Sequence, residues 1–184
     1  FFLGIAVALI LPCGSLSAKS ITPECGGIEL GTKGKLVADT GFRPRLNGFS
    51  FENYGSDQYS SGNLTTDEAW QLFGEQACKR TKGEKCMPTL ALKVWVDQMN
   101  AMMRIGHSEG MAFVSAWLFN SPEKLRSYQK STTFELAPSQ KPLLRSIAYY
   151  WTMQTLEPVV SESFGFREKS PTDILKTLIT AMNN

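Results

Sequence analysis

Residues 111–119 limit the fold more than any other part of this sequence, because they are apolar on nearly every side. They read Met-Ala-Phe-Val-Ser-Ala-Trp-Leu-Phe and carry no charge. A helix with this sequence has no polar face to turn toward water, so it belongs at the centre of a domain. We therefore expect a buried central helix that begins near His107 or Ser108 and runs to Phe119.

Helical patterns on both sides of this run predict a mostly α fold. Thr65 and Glu68 have the spacing of a capping box, ahead of a helix that ends near Cys78. A second helix is expected to have Pro88 in its first turn and to stop at Gly106. Further helices are expected over residues 122–128, over residues 141–156 and from Ser170 onward, with an extended segment at residues 132–136.

The N-terminal third differs from this region in composition. Residues 1–16 carry no charge and resemble the hydrophobic stretch of a secretory signal, so residues 1–18 are expected to be a signal peptide or a membrane anchor. Cys13 is a candidate for lipid attachment. Residues 19–63 hold eight glycines, and this density predicts an irregular extended arm. Residues 64–184 then form the helical domain, and the protein is expected to be exported.

Part of the arm has a pattern of its own. Residues 46–51 alternate apolar residues with small or polar ones, as a short strand or an extended segment does. Phe49, Phe51 and Tyr54 are expected to pin this segment onto the helical domain. Packing explains these aromatic residues better than a ligand-binding cage does.

The cysteines are relevant to the prediction that the protein is exported, because an exported chain can form disulfides. Cys78 and Cys86 flank a short polar loop, and we expect them to form a disulfide that closes this loop between two helices. Cys25 is then free, or is bonded to another chain. One histidine and no close cysteine pair make a poor metal-ligand set, so no metal or cofactor is expected.

The charge pattern gives little support to nucleic acid as a partner. The formal net charge is +2 and no dense run of Lys and Arg occurs. The basic residues between Lys79 and Lys85 fit a solvated loop better than a binding patch. Protein partners are expected instead, with membrane association through residues 1–18.

Ser108 and His107 are the candidate catalytic residues. A helix N-terminus favours an anion and can stabilise an oxyanion through its free N–H groups. Serine also needs a base, and His107, the only histidine, is its neighbour. Adjacent helical residues do not face each other, so the pair is poorly arranged for proton transfer. The residues alone fit either a nucleophile or a helix cap beside a loop histidine.

The segment at residues 106–111, Gly-His-Ser-Glu-Gly-Met, resembles the Gly-His-Cys-x-Gly-Met motif of a bacterial, secreted, papain-like cysteine-peptidase-type family. Residues 46–55, 144–154 and 170–179 are similar to other stretches of that family. The resemblance implies that the nucleophile begins the central helix, and that a Gly-His segment on a later β-sheet supplies the base. In this sequence Ser108 stands in place of the cysteine, and no later Gly-His segment follows. The resemblance therefore implies the helical half of a papain-like α+β fold.

Three functions follow from these observations. We expect an exported, non-catalytic interaction or structural subunit, which belongs to a membrane-associated or extracellular assembly. The alternative is an acyl-transfer hydrolase or peptidase that uses Ser108, with a base supplied from outside this segment. A third reading is a pseudoenzyme that still binds a peptide near His107 and Glu109.

Overall fold

The computed structural model describes residues 38–82 and 85–183. Within them helices predominate, so the expected mostly α fold is confirmed. The expected signal or anchor segment, Cys13 and Cys25 lie outside the described residues. The helices are α1 Pro44–Asn47, α2 Thr66–Phe73, α3 Leu90–Met102, α4 Ser108–Asn120, α5 Pro122–Ser127, α6 Lys141–Met153, α7 Val159–Arg167 and α8 Pro171–Asn183. The strands are β1 Cys78–Lys82 and β2 Lys85–Pro88.

Helix α4 is the central helix that the apolar run predicts, and it packs chiefly against α6. Val114 and Leu118 on α4 are fully buried. Gly110, in its first turn, sets how closely the two helices approach. A Cβ atom at this position would lie 2.1 Å from the backbone oxygen of Ile147 on α6. The crossing therefore depends on a residue without a side chain.

Helix α6 joins two hydrophobic clusters. Its residues Leu144 and Ile147 pack with α4 and the N-terminal arm, whereas Ala148 and Trp151 pack with α2 and α3. Burying side chains of this size contributes about 1.5–3 kcal/mol each. Because α6 contributes to both clusters, the described residues form a continuous core.

The arm meets this core through its aromatic residues, as predicted. Phe49 and Phe51 pack against the cluster that contains the buried Tyr54. Residues 46–51 do not form the short strand that was one of the two expectations, and the extended alternative fails at its start, because α1 ends only at Asn47. The Asn47 side chain accepts a hydrogen bond from the backbone N–H of Arg43 (2.8 Å), which closes a helical turn instead.

The predicted disulfide between Cys78 and Cys86 is present, with 5.4 Å between the two Cα atoms. The segment that it closes is a hairpin of antiparallel strands β1 and β2, whereas a polar loop between two helices was expected. Helix α2 also ends earlier than predicted, because Gly74 has a φ of 68° and breaks it. The disulfide therefore joins the first residue of β1 to β2, within a hairpin that leads from α2 to α3.

Four further predictions rest on local signals, and two of them are confirmed. Thr89 caps α3, accepting a hydrogen bond from the N–H of Leu92 (3.1 Å), so Pro88 precedes the helix instead of lying in its first turn. Residues 132–136 contain a 3-10 turn and are not extended, since Glu135 accepts a hydrogen bond from the N–H of Thr132 (3.1 Å). The capping box of α2 and the Ser170 start of α8 are both confirmed.

Candidate functional site at the start of α4

The backbone before α4 turns sharply at Gly106, which has a φ of 136°. A side chain here would also collide with the arm, since a Cβ would lie 2.2 Å from the side-chain nitrogen of Asn53. The Asn53 oxygen Oδ1 in turn accepts a hydrogen bond from the backbone N–H of His107 (2.7 Å). Glycine at this position therefore lets the arm close directly over the start of α4.

The His107 side chain points into the protein. It is 1% exposed, and its Nδ1 lies 2.7 Å from the backbone oxygen of Tyr54. Because a carbonyl oxygen only accepts, Nδ1 carries the proton and donates. The imidazole also stacks on the Tyr54 ring, with 4.4 Å between ring centroids. Burial lowers the pKa of His107, and the hydrogen bond to the Tyr54 carbonyl opposes this shift in part.

Ser108 and Glu109 are the exposed members of the segment at residues 106–111. Ser108 is the first residue of α4, and His107 holds the N-cap position without a side-chain capping bond. The Ser108 hydroxyl donates a hydrogen bond to the Glu109 carboxylate, with 2.9 Å between Oγ and Oε2. The structure thus pairs Ser108 with Glu109, while the ring of His107 is hydrogen-bonded to the arm.

The hydrogen bonds at this site do not pair Ser108 with an imidazole base. An exposed hydroxyl at a helix N-terminus lies beside free N–H groups and the positive end of the dipole. Activation of serine requires a base, and a carboxylate is a weaker base than an imidazole. The His107 ring is buried, and the Ser108 hydroxyl donates to Glu109 instead. The catalytic assignment of Ser108 and His107 stays a prediction.

Sequence reasoning placed Tyr54 on the helical domain, but it missed that Asn53 and the Tyr54 carbonyl would hold His107. The arm also contacts the end of α3, where the Ser56 hydroxyl donates to the backbone oxygen of Asn100 (2.8 Å). A Cβ on Gly55 would lie 2.3 Å from the backbone oxygen of Arg104, so the two backbones approach closely here. The clustering of Asn, Tyr and Gly at residues 53–55 is the signal in the sequence that could have indicated a fixed turn.

Two further properties concern the described part of the chain. Among residues 38–82 and 85–183, no group of three or more His, Cys, Asp and Glu side chains is arranged to hold a metal ion. The helices in the same ranges are all too short or too polar to span a bilayer.

Comparisons of this chain with known proteins identify no relative. No protein-family model matches the chain, and no curated protein or solved structure matches it at a significant level. The functional argument therefore starts from the residues of the site.

Proposed function

We propose that this chain is an exported, non-catalytic interaction or structural subunit derived from a papain-like fold. One observation carries the proposal: the exposed hydroxyl of Ser108 is hydrogen-bonded to Glu109, while the only imidazole of the chain is buried against Tyr54. A seryl nucleophile works with a base that takes its proton, and the histidine next to it is committed to the fold. The segment therefore acts as a structural element with an exposed polar tip.

The papain-like origin is supported by the structural roles of the other residues in the segment at residues 106–111. Gly106 takes a positive φ, and Gly110 allows the close approach of α6. His107 holds the arm, and Met111 packs against the hydrophobic cluster that contains Tyr54. Such a frame presents the side chain at position 108 at the start of the central helix, where the resembling family places its cysteine. Serine at that position lacks the reactivity of a thiolate.

A protein partner is supported by the apolar residues just before the site. Ile105 is 91% exposed and Met102 is 50% exposed, on the turn that leads from α3 into α4. Covering them would remove apolar surface from water and favour association. We propose that this edge, defined by Met102 and Ile105, contacts another protein in a membrane-associated or extracellular assembly. Residues 1–18 would direct the chain there as a signal peptide or a membrane anchor.

The test of non-catalysis is covalent labelling with a fluorophosphonate, which reacts with activated serines. We expect no labelling of the full chain at Ser108. The control is Ser108→Cys treated with iodoacetamide, since alkylation of that thiol would show that reagents reach the position. Comparison with Ser108→Ala accounts for thiols and serines elsewhere. Fluorophosphonate labelling that disappears in Ser108→Ala would refute the proposal.

The second candidate is an acyl-transfer hydrolase or peptidase that uses Ser108. The exposure of this hydroxyl at the start of α4 favours it, because N–H groups are available there for an oxyanion. Its base would come from another chain or from residues outside the described ranges. Labelling of Ser108 only in the presence of a second protein would support this candidate over the first.

A further inference from the structure

A groove of about 520 Å³ lies along the outer side of α6, away from the start of α4. It is bordered by α2 and by the second half of α4, where Trp117 lies nine residues after Ser108. At 1.5 Å per residue, this separation is about 14 Å along the helix axis. The volume is typical of small-ligand sites, which span about 300–1,000 Å³. The groove is therefore a feature separate from the candidate site.

Three aromatic residues form the apolar part of this groove: Trp117, Tyr149 and Tyr150. Their rings hold one another in place. The Tyr150 ring lies 5.1 Å from that of Tyr149 and 5.7 Å from that of Trp117, between centroids, and it stacks on Phe113 at 4.2 Å. All three remain partly exposed. A fixed aromatic surface that is left open to solvent can receive the flat face of a ligand without rearrangement.

Two cations, Lys141 and Arg145, belong to the same groove, against one carboxylate, Glu68. The Arg145 atom Nη1 lies 3.3 Å from Glu68 Oε1, and Glu68 is itself held in the capping box of α2. Within the described ranges, Arg145 Nη2 has no hydrogen-bond acceptor and Lys141 has no ion pair. The groove thus carries one excess positive charge and hydrogen-bond donors that a ligand can use.

Donors and acceptors are mixed at the rim. Gln71 is exposed and offers both an amide oxygen and an amide nitrogen. The Ser146 hydroxyl donates to the backbone oxygen of Pro142 (3.0 Å), which leaves its lone pairs free to accept. Sugar hydroxyls both donate and accept, so they can pair with groups of both kinds. A flat aromatic acid would leave these polar groups unpaired.

We propose that this groove binds a sugar ring that carries a carboxylate. The apolar face of the sugar ring packs against the surface that Trp117 and the two tyrosines form, and the carboxylate lies by Lys141 and Arg145. The ring hydroxyls pair with Gln71 and Ser146. Glu68 is a positioning residue, because its ion pair holds the Arg145 guanidinium. This inference is independent of the proposal for Ser108, since the two sites share no residue.

The experiment is isothermal titration calorimetry of the full chain with trigalacturonate as the probe. We expect saturable binding, and about tenfold weaker binding of the neutral galactose trimer, since a charge-assisted hydrogen bond contributes about that factor. Lys141→Gln should weaken binding of trigalacturonate about fivefold to tenfold. The matched control is Lys124→Gln on α5, which removes an exposed lysine outside the groove and should leave binding unchanged.

Aromatic stacking is tested with Trp117→Leu and, in case that variant does not fold, with Tyr149→Leu. Either change should reduce binding of trigalacturonate at least tenfold while circular dichroism shows an intact helical fold. The inference is refuted by no binding at about 10 mM probe. It is equally refuted if inorganic phosphate or benzoate binds as tightly as trigalacturonate, or if Lys124→Gln weakens binding as much as Lys141→Gln.

Discussion

At Gly106 the absence of a Cβ atom determines the local structure. Its φ of 136° is strained for any residue with a side chain, and a Cβ would collide with Asn53. We expect Gly106→Ala to lower the free energy of unfolding by about 1–3 kcal/mol, measured by urea denaturation. Gly165 on α7 is the matched control, because a Cβ there meets nothing within 4 Å. Gly165→Ala should be neutral or stabilising by up to about 1 kcal/mol. Equal stability of Gly106→Ala and the original chain would contradict this account.

His107 makes stability depend on pH in a direction that can be measured. Burial lowers its pKa from the ordinary value of 6.5, so the unfolded state binds more protons below that pH. The contribution of His107 to the free energy of unfolding should therefore be fully present above pH 6.5. It should decline as the pH falls toward the lowered pKa of the folded state. Because the chain has one histidine, its ring resonances report this pKa without ambiguity.

His107→Phe keeps an aromatic ring against Tyr54 but removes the titrating group. We expect this variant to lose the decline in stability just below pH 6.5, even though it is less stable at pH 7 because the Tyr54 carbonyl loses its donor. A histidine pKa at or above 6.5 in the folded protein would show that the imidazole is not buried as described.

At the scale of the elements, short-range signals predicted the structure well. The capping box of Thr65 and Glu68, the Ser170 start of α8 and the Cys78–Cys86 pair each involve residues that are close in sequence. Their geometry depends on the local chain, which a sequence pattern contains. The two strands that contain the disulfide cysteines escaped prediction because they are short and lack a hydrophobic alternation.

Long-range contacts explain most of what could not be predicted around α4. The hydrogen bond of His107 to Tyr54 joins residues 53 positions apart, and that of its backbone to Asn53 joins residues 54 apart. No periodicity links such positions. Sequence patterns therefore located the start of α4 and placed Tyr54 on the domain, but they did not indicate that His107 would be hydrogen-bonded to the arm.

The disulfide gives a prediction for the β1–β2 hairpin. Its eight-residue separation closes a short loop, which contributes about 2–3 kcal/mol. Replacing both Cys78 and Cys86 by serine should lower the thermal midpoint, and a reducing agent should lower that of the original chain similarly. The double variant is its own control, since reduction should not destabilise its hairpin further. An unchanged midpoint in the double variant would mean that the hairpin is held by its backbone pairing alone.

At the scale of the whole molecule, the continuous core and the exposed edge lead to different expectations. Because α6 joins both hydrophobic clusters, the described residues should unfold in one cooperative transition. The edge formed by Met102 and Ile105 lies outside that core, so substitutions there can change association without changing the fold. We therefore expect the stability of the fold and the proposed assembly to be separable by mutation.

This separation allows a test of the proposed subunit role through the mass of the protein in solution. By light scattering, we expect the full chain to exceed the mass of one copy, and Ile105→Asp to shift it toward the monomer, because a charge at the edge must be desolvated on contact. Leu175→Asp on α8 is the matched control, since Leu175 is also exposed but lies outside the edge. A monodisperse monomer at every concentration, or an equal effect of both substitutions, would show that the edge does not mediate contact between copies of this chain.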